Sequence, residues 1–233
     1  MLTRMHGDPR HGDPRHGPLV PMLLVLTVVT GLVDAVSYLA LGHVFVANMT
    51  GNVVFLGFAL AGAPGLSATA SLAALAAFLA GALAGGRLAE RGPGHRGRLL
   101  VATVAAQSVL LAACTAFAAA FGHTADPVRY TLIGVLGAAM GLQNAVVRAL
   151  KVPDLTTTVL TMTITALAAD RTGARRFASA AWMFAGALVG AVLVLHATVP
   201  VALAAALVLL LTVAALTHHA SRHPTTPWAD PTP

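Results

Sequence analysis

The sequence is poor in charged residues and contains a single cysteine. Only 9% of the 233 residues are charged and 57% are hydrophobic. A soluble globular domain, in contrast, carries about 25% charged residues. This composition excludes an ordinary soluble enzyme and is typical of a protein embedded in a lipid bilayer. The lone cysteine excludes an intramolecular disulfide and a cysteine-based zinc site.

The net charge of +6 is a topology signal rather than a sign of nucleic-acid binding, because the basic residues lie in short clusters between apolar runs. The chain carries no Walker loop, no HExxH motif, no dinucleotide fingerprint and no serine-hydrolase elbow. We therefore predict a protein that is not an enzyme, holds no metal and no cofactor, and does not bind nucleic acid. Its predicted surroundings are the lipid bilayer.

Both ends of the chain have a composition that does not support a packed core. Residues 6–17 repeat a His-Gly-Asp-Pro-Arg unit, and residues 218–233 are similarly rich in polar side chains and proline. We predict that residues 1–18 and 218–233 are disordered tails on the cytoplasmic side of the membrane.

Eight apolar runs lie between these tails. Six of them have about the 20 residues that a helix needs to cross a bilayer. The runs at 44–62 and 155–169 are shorter or are interrupted by polar residues, so we predict that they re-enter the membrane from one side. The six predicted spanning helices are residues 19–41, 67–86, 99–121, 129–150, 177–196 and 200–217.

The distribution of basic residues supports this choice. If all eight runs crossed, the 14 Arg and Lys residues would divide as eight against six between the two sides. With six crossings and two re-entrant segments, thirteen are cytoplasmic and Arg129 alone lies outside. We therefore predict an all-α polytopic membrane protein with both termini in the cytoplasm. Irregular backbone at membrane depth must be covered by protein or line a wet cavity, so we expect the re-entrant segments either to be buried or to line a pathway.

An internal repeat divides the chain into two halves. Residues 31–36 (GLVDAV) match residues 141–146 (GLQNAV) at four of six positions, and residues 80–85 (AGALAG) match residues 185–190 (AGALVG) at five of six. We predict a first membrane repeat at 19–121 and a second at 122–217. Three crossings in each half turn the second repeat upside down relative to the first, a plan that recurs in secondary transporters.

Glycines spaced four residues apart predict close contacts between helices. We interpret these pairs as packing surfaces rather than as parts of a site. They are Gly81/Gly85, Gly137/Gly141 and Gly186/Gly190.

Asp34 is the acidic residue that lies inside a predicted spanning helix. An ionisable group in the hydrocarbon is costly unless it faces a polar interior, so such a residue is a functional-site hypothesis by default. Two roles are open. Asp34 could carry a coupling proton in a transport cycle, or it could be a structural residue that ties the first helix to the adjacent re-entrant segment by hydrogen bonds.

Polar side chains are concentrated in the two re-entrant segments. Asn48 or Thr50 could cap a half-helix that begins inside the membrane and points its positive end at the midplane. The second segment carries a series of threonines, which either line a cavity or bond back to their own helix. The predicted pathway residues are Asp34, Ser37, Asn48, Thr50, Gly51, Asn52, Gln143, Asn144, Thr161 and Thr163.

Residues 31–39 (GLVDAVSYL) and 45–52 (FVANMTGN) resemble the YoaK-like family of bacterial multi-pass inner-membrane proteins. The resemblance covers nearly the whole chain between the tails, and its motif residues match here at Asp34, Thr50 and Asn52 together with Gly51. It implies a location in the bacterial inner membrane and a multi-pass architecture. It supplies neither a substrate nor an assigned catalytic residue.

Two functions from different classes are compatible with the sequence. The first is a secondary transporter or permease for a small polar solute, with the proton as a coupling ion and Asp34 as the coupling carboxylate. The second is a non-transporting membrane scaffold or assembly partner, a homo-oligomer included, whose polar residues satisfy one another. A polar crevice that reaches Asp34 favours transport, and a closed hydrogen-bond cluster around it favours the scaffold.

Overall fold

The computed structural model describes residues 19–92, 95–151 and 174–221, and every regular element within these ranges is an α-helix. The prediction of an all-α chain is confirmed for this part. The second re-entrant segment, with Thr161 and Thr163, lies outside the described residues, as do residues 1–18 and 222–233. The helices are α1 (Leu19–Ala40), α2 (Met49–Leu60), α3 (Ala68–Arg91), α4 (Arg96–Phe121), α5 (Asp126–Ala149), α6 (Ala174–His196) and α7 (Val199–Ala220).

Six of the seven described helices are long and apolar enough to cross a membrane. The exception is α2, which has 12 residues. At about 1.5 Å per residue it spans roughly 18 Å, which is shorter than the ~30 Å hydrocarbon core. Helix α7 continues past the last predicted spanning residue, 217, to Ala220, and the N–H of Ser221 donates to the carbonyl of Thr217 at 2.9 Å.

Local sequence signals explain where the helices begin and end. Ser67 caps α3 by accepting a hydrogen bond from the N–H of Ala70 at 3.2 Å. Prolines in the first turn of α5 and of α7 occupy positions where their missing N–H is not needed. Gly122 ends α4 with a φ of 76°, and Gly42 follows α1 with a φ of 100°, conformations that glycine adopts without strain.

Two helix pairs pack through glycines, α1 against α6 and α3 against α5. A Cβ atom added at Gly85 would lie 2.6 Å from the carbonyl oxygen of Leu142, and one added at Gly190 would lie 2.8 Å from that of Leu32. No larger residue fits at these positions without a shift of the backbone. The prediction that the spaced glycines serve helix packing is confirmed.

Four helices form the inner bundle, because α4 packs on α7 and α5 while α1 packs on α7. Helices α6 and α3 flank this bundle, and α2 lies against α3. At one end the turn after α1 meets the start of α5, where Gly42 lies beside the Arg129 side chain. At the other end Arg96, at the start of α4, donates a hydrogen bond to the carbonyl of Leu150 just beyond α5.

Most basic residues of the described helices lie at one end of the bundle, where α3 and α5 finish and α4 begins. Arg129 lies at the opposite end, near the start of α5. The positive-inside rule predicts this separation for six crossings. The residues at the basic end are Arg87, Arg91, Arg96, Arg98, Arg148 and Lys151.

Candidate functional site

Asp34 holds the loop that connects α1 to α2, residues 41–48. Its carboxylate is buried in α1 with 3% of the residue exposed. The oxygen Oδ1 accepts hydrogen bonds from the backbone N–H groups of Val46 at 2.9 Å and Ala47 at 2.8 Å. The other oxygen, Oδ2, accepts one from the side-chain amide of Asn48. Three donors therefore converge on a single carboxylate, and each of them belongs to the α1–α2 loop.

Asn52 holds the same loop from the side of α2. Its side chain is fully buried, its Oδ1 accepts a hydrogen bond from the N–H of Phe45 at 2.9 Å, and its Nδ2 donates to the carbonyl of Phe45. Together with Asp34 it supplies acceptors to three consecutive loop N–H groups, those of residues 45, 46 and 47. Within a bilayer such groups have no water to bond to, so these side chains allow non-helical backbone at this depth.

Asn48 and Thr50 are the two alternatives for the cap of the half-helix, and among the described residues neither makes a side-chain capping bond. Asn48 does occupy the N-cap position of α2, but its side chain makes no capping bond, because its amide points to Asp34 instead. Thr50 is exposed, and no capping bond from it is found either. Gly51 serves packing, because a Cβ there would lie 2.6 Å from the ring of Phe45.

Aromatic rings cover the α1–α2 loop. Tyr38 stacks on Phe45 with 5.1 Å between ring centroids, and Phe55 of α2 lies 5.6 Å from Phe45. His43 packs its ring edge-on against Tyr38 at 5.3 Å. Such contacts bury apolar area and shield the hydrogen bonds beneath them from competing groups. The loop and its two clamping residues form a closed, protein-lined unit.

Ser37 belongs to this unit only indirectly. Its hydroxyl is buried and donates to the backbone carbonyl of Asp34 at 3.1 Å. This is the local back-bonding that a serine commonly makes within its own helix. The structure therefore brings Ser37 and Asp34 together, but it directs the serine hydroxyl at the backbone and not at a pathway.

A second polar cluster crosses the middle of the inner bundle. Gln107 of α4 donates to the side-chain oxygen of Gln143 of α5 at 2.8 Å, and Gln143 donates to the hydroxyl of Thr30 of α1 at 3.1 Å. Thr30 and Gln107 are fully buried and Gln143 is 3% exposed. Thr30 lies midway along the 22 residues of α1. We call these three residues the midplane chain.

The midplane chain contains an unmet acceptor. Gln107 Oε1 is buried and has no hydrogen-bond partner among the described residues. A buried carbonyl oxygen without a donor is costly, so a missing donor at such a site is a reason to consider a water molecule or a ligand. Thr30 was not among the predicted site residues, whereas Gln107, like Ser37 and Gln143, is a polar candidate within a predicted spanning helix. An isolated polar residue in an apolar run gives only a weak signal, and their common depth becomes apparent only in the fold.

Asn144, the position that matches Asp34 in the second half, is half-buried in α5. Its amide donates to the carbonyl of Met140 at 2.9 Å within its own helix. Asp34 and Gln143 lie in separate clusters, since the described partners of Asp34 all come from the α1–α2 loop and its own helix.

Comparisons with known proteins agree with this architecture. Residues 22–216 match the family described as "Protein of unknown function (DUF1275)". The chain is similar to the UPF0700 transmembrane protein YoaK of Bacillus subtilis (strain 168), with 34% identity over 155 residues, which cover 65% of this chain and 67% of that protein. No solved structure matches the chain.

Proposed function

Because the chain belongs to the DUF1275 family of proteins of unknown function, a functional assignment has to come from its own geometry, and we propose that it is a secondary transporter or permease for a small polar solute. The chain is an integral multi-pass membrane protein with six candidate spans. The proposal places it in a bacterial inner membrane with both termini in the cytoplasm.

One observation carries this proposal: the two glycine-packed helix pairs are equivalent under the sequence repeat. A Cβ at Gly31 of α1 would lie 2.8 Å from the nitrogen of Ala187 in α6, and one at Gly141 of α5 would lie 2.8 Å from the nitrogen of Ala82 in α3. Adding 110 to 31 gives 141, and adding 105 to 82 gives 187. The sequence repeat therefore relates the contact between α1 and α6 to the contact between α5 and α3.

A second pair of contacts follows the same rule. Gly85 faces the carbonyl of Leu142 and Gly190 faces that of Leu32. Adding 105 to 85 gives 190, and adding 110 to 32 gives 142. Since α1 ends where α5 begins, the two equivalent helices run in opposite directions. These contacts support two inverted repeats that exchange helices, an arrangement typical of secondary transporters.

In such a protein the solute site lies near the midplane, between the repeats. The proposal assigns this site to the midplane chain of Thr30, Gln143 and Gln107, which joins α1, α4 and α5 by hydrogen bonds. The unmet oxygen of Gln107 would accept a hydrogen bond from an O–H or N–H group of the solute. This gives the proposed site a preference for a neutral hydrogen-bond donor.

Asp34 acts in this proposal as a positioning residue for the loop before α2. Protonation of its carboxylate would weaken the charge-assisted bonds to Val46 and Ala47 and would loosen the start of α2. Proton coupling, if the transporter uses it, would thus act through the loop. The alternative function, a non-transporting scaffold, is favoured by the closed hydrogen-bond cluster around Asp34 and Asn52.

Cysteine accessibility distinguishes the two functions. In a Cys114→Ala background, Thr30→Cys places a thiol of similar size in the midplane chain, and a charged, membrane-impermeant methanethiosulfonate is added from either side. A transporter that opens alternately is expected to react from both sides. Val29→Cys, equally buried beside it, is the control that should not react, and Thr124→Cys in the α4–α5 loop should react from one side only.

Protection of Thr30→Cys from both sides, in protein that still unfolds cooperatively, would contradict the transport proposal and favour the scaffold.

The role of Asp34 is tested by exchanging its carboxylate with the side-chain amide of Asn48. Asp34→Asn removes the charge from position 34 and leaves one oxygen to accept from the loop, whereas Asp34→Asn combined with Asn48→Asp returns a carboxylate to the same pair. If Asp34 positions the loop, the exchange should restore both stability and labelling of Thr30→Cys. Loss of Thr30→Cys labelling in a stable exchange variant would instead show that the negative charge is needed at position 34 itself.

A further inference from the structure

A cleft of about 880 Å³ opens at the end of the bundle that is poor in basic residues. Most of its lining is apolar and comes from the final turns of α1, α4 and α6 and the start of α7, including Leu39, Ala118 and Val194. Its polar lining includes Arg129, His123 and Thr198. The cleft is therefore amphipathic, with an apolar wall along the helices and a cationic group beside the loops.

The guanidinium of Arg129 has more N–H donors than its described neighbours have acceptors to pair with them. Its Nη2 pairs with Asp126 at 2.6 Å, but its Nε is buried and has no hydrogen-bond partner among the described residues. The pairing carboxylate is 71% solvent-exposed, whereas the arginine side chain is 28% exposed. A guanidinium has five N–H donors in a planar fork that matches the oxygens of a phosphate. The arginine can thus take a second anionic partner.

The position of Arg129 is also unusual for the topology. Basic residues avoid the translocated side of membrane proteins, and among the described residues the other arginines and the lysine whose side chains are defined lie at the opposite end. Helix α7 begins in the cleft, and its N-cap Thr198 makes no side-chain capping bond. The partial positive charge of this helix start adds to that of Arg129.

We propose that this cleft binds an anionic phospholipid, with the lipid phosphate on Arg129 and an acyl chain along the apolar wall. A cleft at the ends of spanning helices lies at headgroup level, where a guanidinium can form charge-assisted hydrogen bonds with a lipid phosphate. The apolar lining favours a lipid over a free phosphate ion, because an ion would leave that wall unoccupied. This inference requires only that the helices span a bilayer and does not depend on transport.

Photocrosslinking in vesicles tests the proposal. The full-length protein is reconstituted in phosphatidylcholine vesicles that contain a trace of phosphatidylglycerol with a diazirine in its acyl chain. Crosslinked peptides are mapped by mass spectrometry. We expect adducts on the cleft segments, residues 118–124 and 194–200, at a yield that exceeds that of diazirine-labelled phosphatidylcholine roughly tenfold, because the choline ammonium of that lipid carries a positive charge that competes with Arg129 for the phosphate.

Four variants make the result specific. Arg129→Gln should abolish the preference for the anionic lipid, whereas Arg87→Gln at the opposite end should leave it unchanged. Ala119→Phe should block the apolar wall and lower adduct formation without removing charge. Asp126→Asn should increase adduct formation, because it releases the second edge of the guanidinium. A purely structural role of Arg129 predicts no such increase.

Two results would overturn the proposal. The first is an unchanged phosphatidylglycerol adduct in both Arg129→Gln and Ala119→Phe, shown to be folded by their circular dichroism. The second is complete displacement of the adduct by inorganic phosphate, which would mean that the site takes the free anion. Inorganic phosphate is therefore included as a competitor, and persistence of the adduct in its presence is the expected outcome.

Discussion

Gly85 and its neighbour Gly86 offer a direct test of the packing between α3 and α5. A Cβ atom at Gly85 would lie 2.6 Å from the carbonyl oxygen of Leu142 and 3.0 Å from the Cβ of Ala145. A Cβ atom at Gly86 meets nothing within 4 Å. The two substitutions Gly85→Ala and Gly86→Ala thus add the same methyl group to the same helix, one residue apart, in opposite environments.

The expected difference follows from the missing space. An ordinary contact starts at 3.4 Å, so the methyl group at Gly85 lies 0.8 Å too close to a backbone oxygen that no side-chain rotation can move away. If the helices separate by that amount, each contact along α3 and α5 loses roughly a quarter to a half of its dispersion energy. Overpacking of this kind costs about 1–3 kcal/mol. The helix-propensity gain of Gly→Ala is the same in both variants and cancels in their comparison.

Unfolding of the purified protein in mixed micelles, with increasing amounts of sodium dodecyl sulfate and far-ultraviolet circular dichroism as the signal, measures this difference. We expect Gly85→Ala to be less stable than Gly86→Ala by about 1–3 kcal/mol. Equal stabilities would refute the close approach of α3 and α5. They would also remove the support that these contacts give to the inverted repeat.

Three further predictions use the same titration. Gly31→Ala and Gly141→Ala, related by the repeat, should each destabilise the protein by about 1–3 kcal/mol, and a large loss in one with no loss in the other would contradict the equivalence of the two halves. Asp34→Ala leaves three loop donors without an acceptor and, at about 1–3 kcal/mol per unsatisfied buried group, should destabilise the protein more than any glycine variant. Stability close to wild type would show that the α1–α2 loop is not held by this residue. Gln143→Leu breaks the two hydrogen bonds of the midplane chain and should cost about 1 kcal/mol, since one such bond between membrane helices contributes about 0.6 kcal/mol on average and about 1.7 kcal/mol at most; a loss above about 3.4 kcal/mol would identify the chain as a structural element instead of a solute site.

Much of the fold could be predicted from the sequence because lipid imposes simple rules. The length and apolar character of the runs gave the six spanning helices. The interrupted run around residues 44–62 became the short helix α2 after an irregular loop. The spacing of the glycines predicted the close helix pairs, since only the smallest residues allow two backbones to approach within membranes.

The site was less accessible from sequence, because its partners are backbone groups. The amino-acid sequence of the α1–α2 loop does not show that the backbone N–H groups of Val46 and Ala47 donate hydrogen bonds to Asp34. Asn48 could cap a helix only through its side-chain oxygen, but in the fold its amide N–H donates to the buried carboxylate of Asp34 in a charge-assisted bond, and its oxygen makes no capping bond. Thr30 belongs to the midplane chain only because α1 and α5 meet at its depth.

The groups around Asp34 and around Asn144, which align in the sequence match, explain why Asp34 is charged and Asn144 is not. Asp34 receives three donors from the loop that follows it, and a carboxylate, which only accepts, can satisfy all of them. The matching Asn144 donates its amide to the carbonyl of Met140, which a carboxylate could not do. The charge at position 34 is thus accounted for by the number of donors around it, without any transport chemistry. An acidic residue inside a membrane helix usually marks a pathway, but in this protein the argument for transport rests on the exchanged helix pairs and on the unmet oxygen of Gln107.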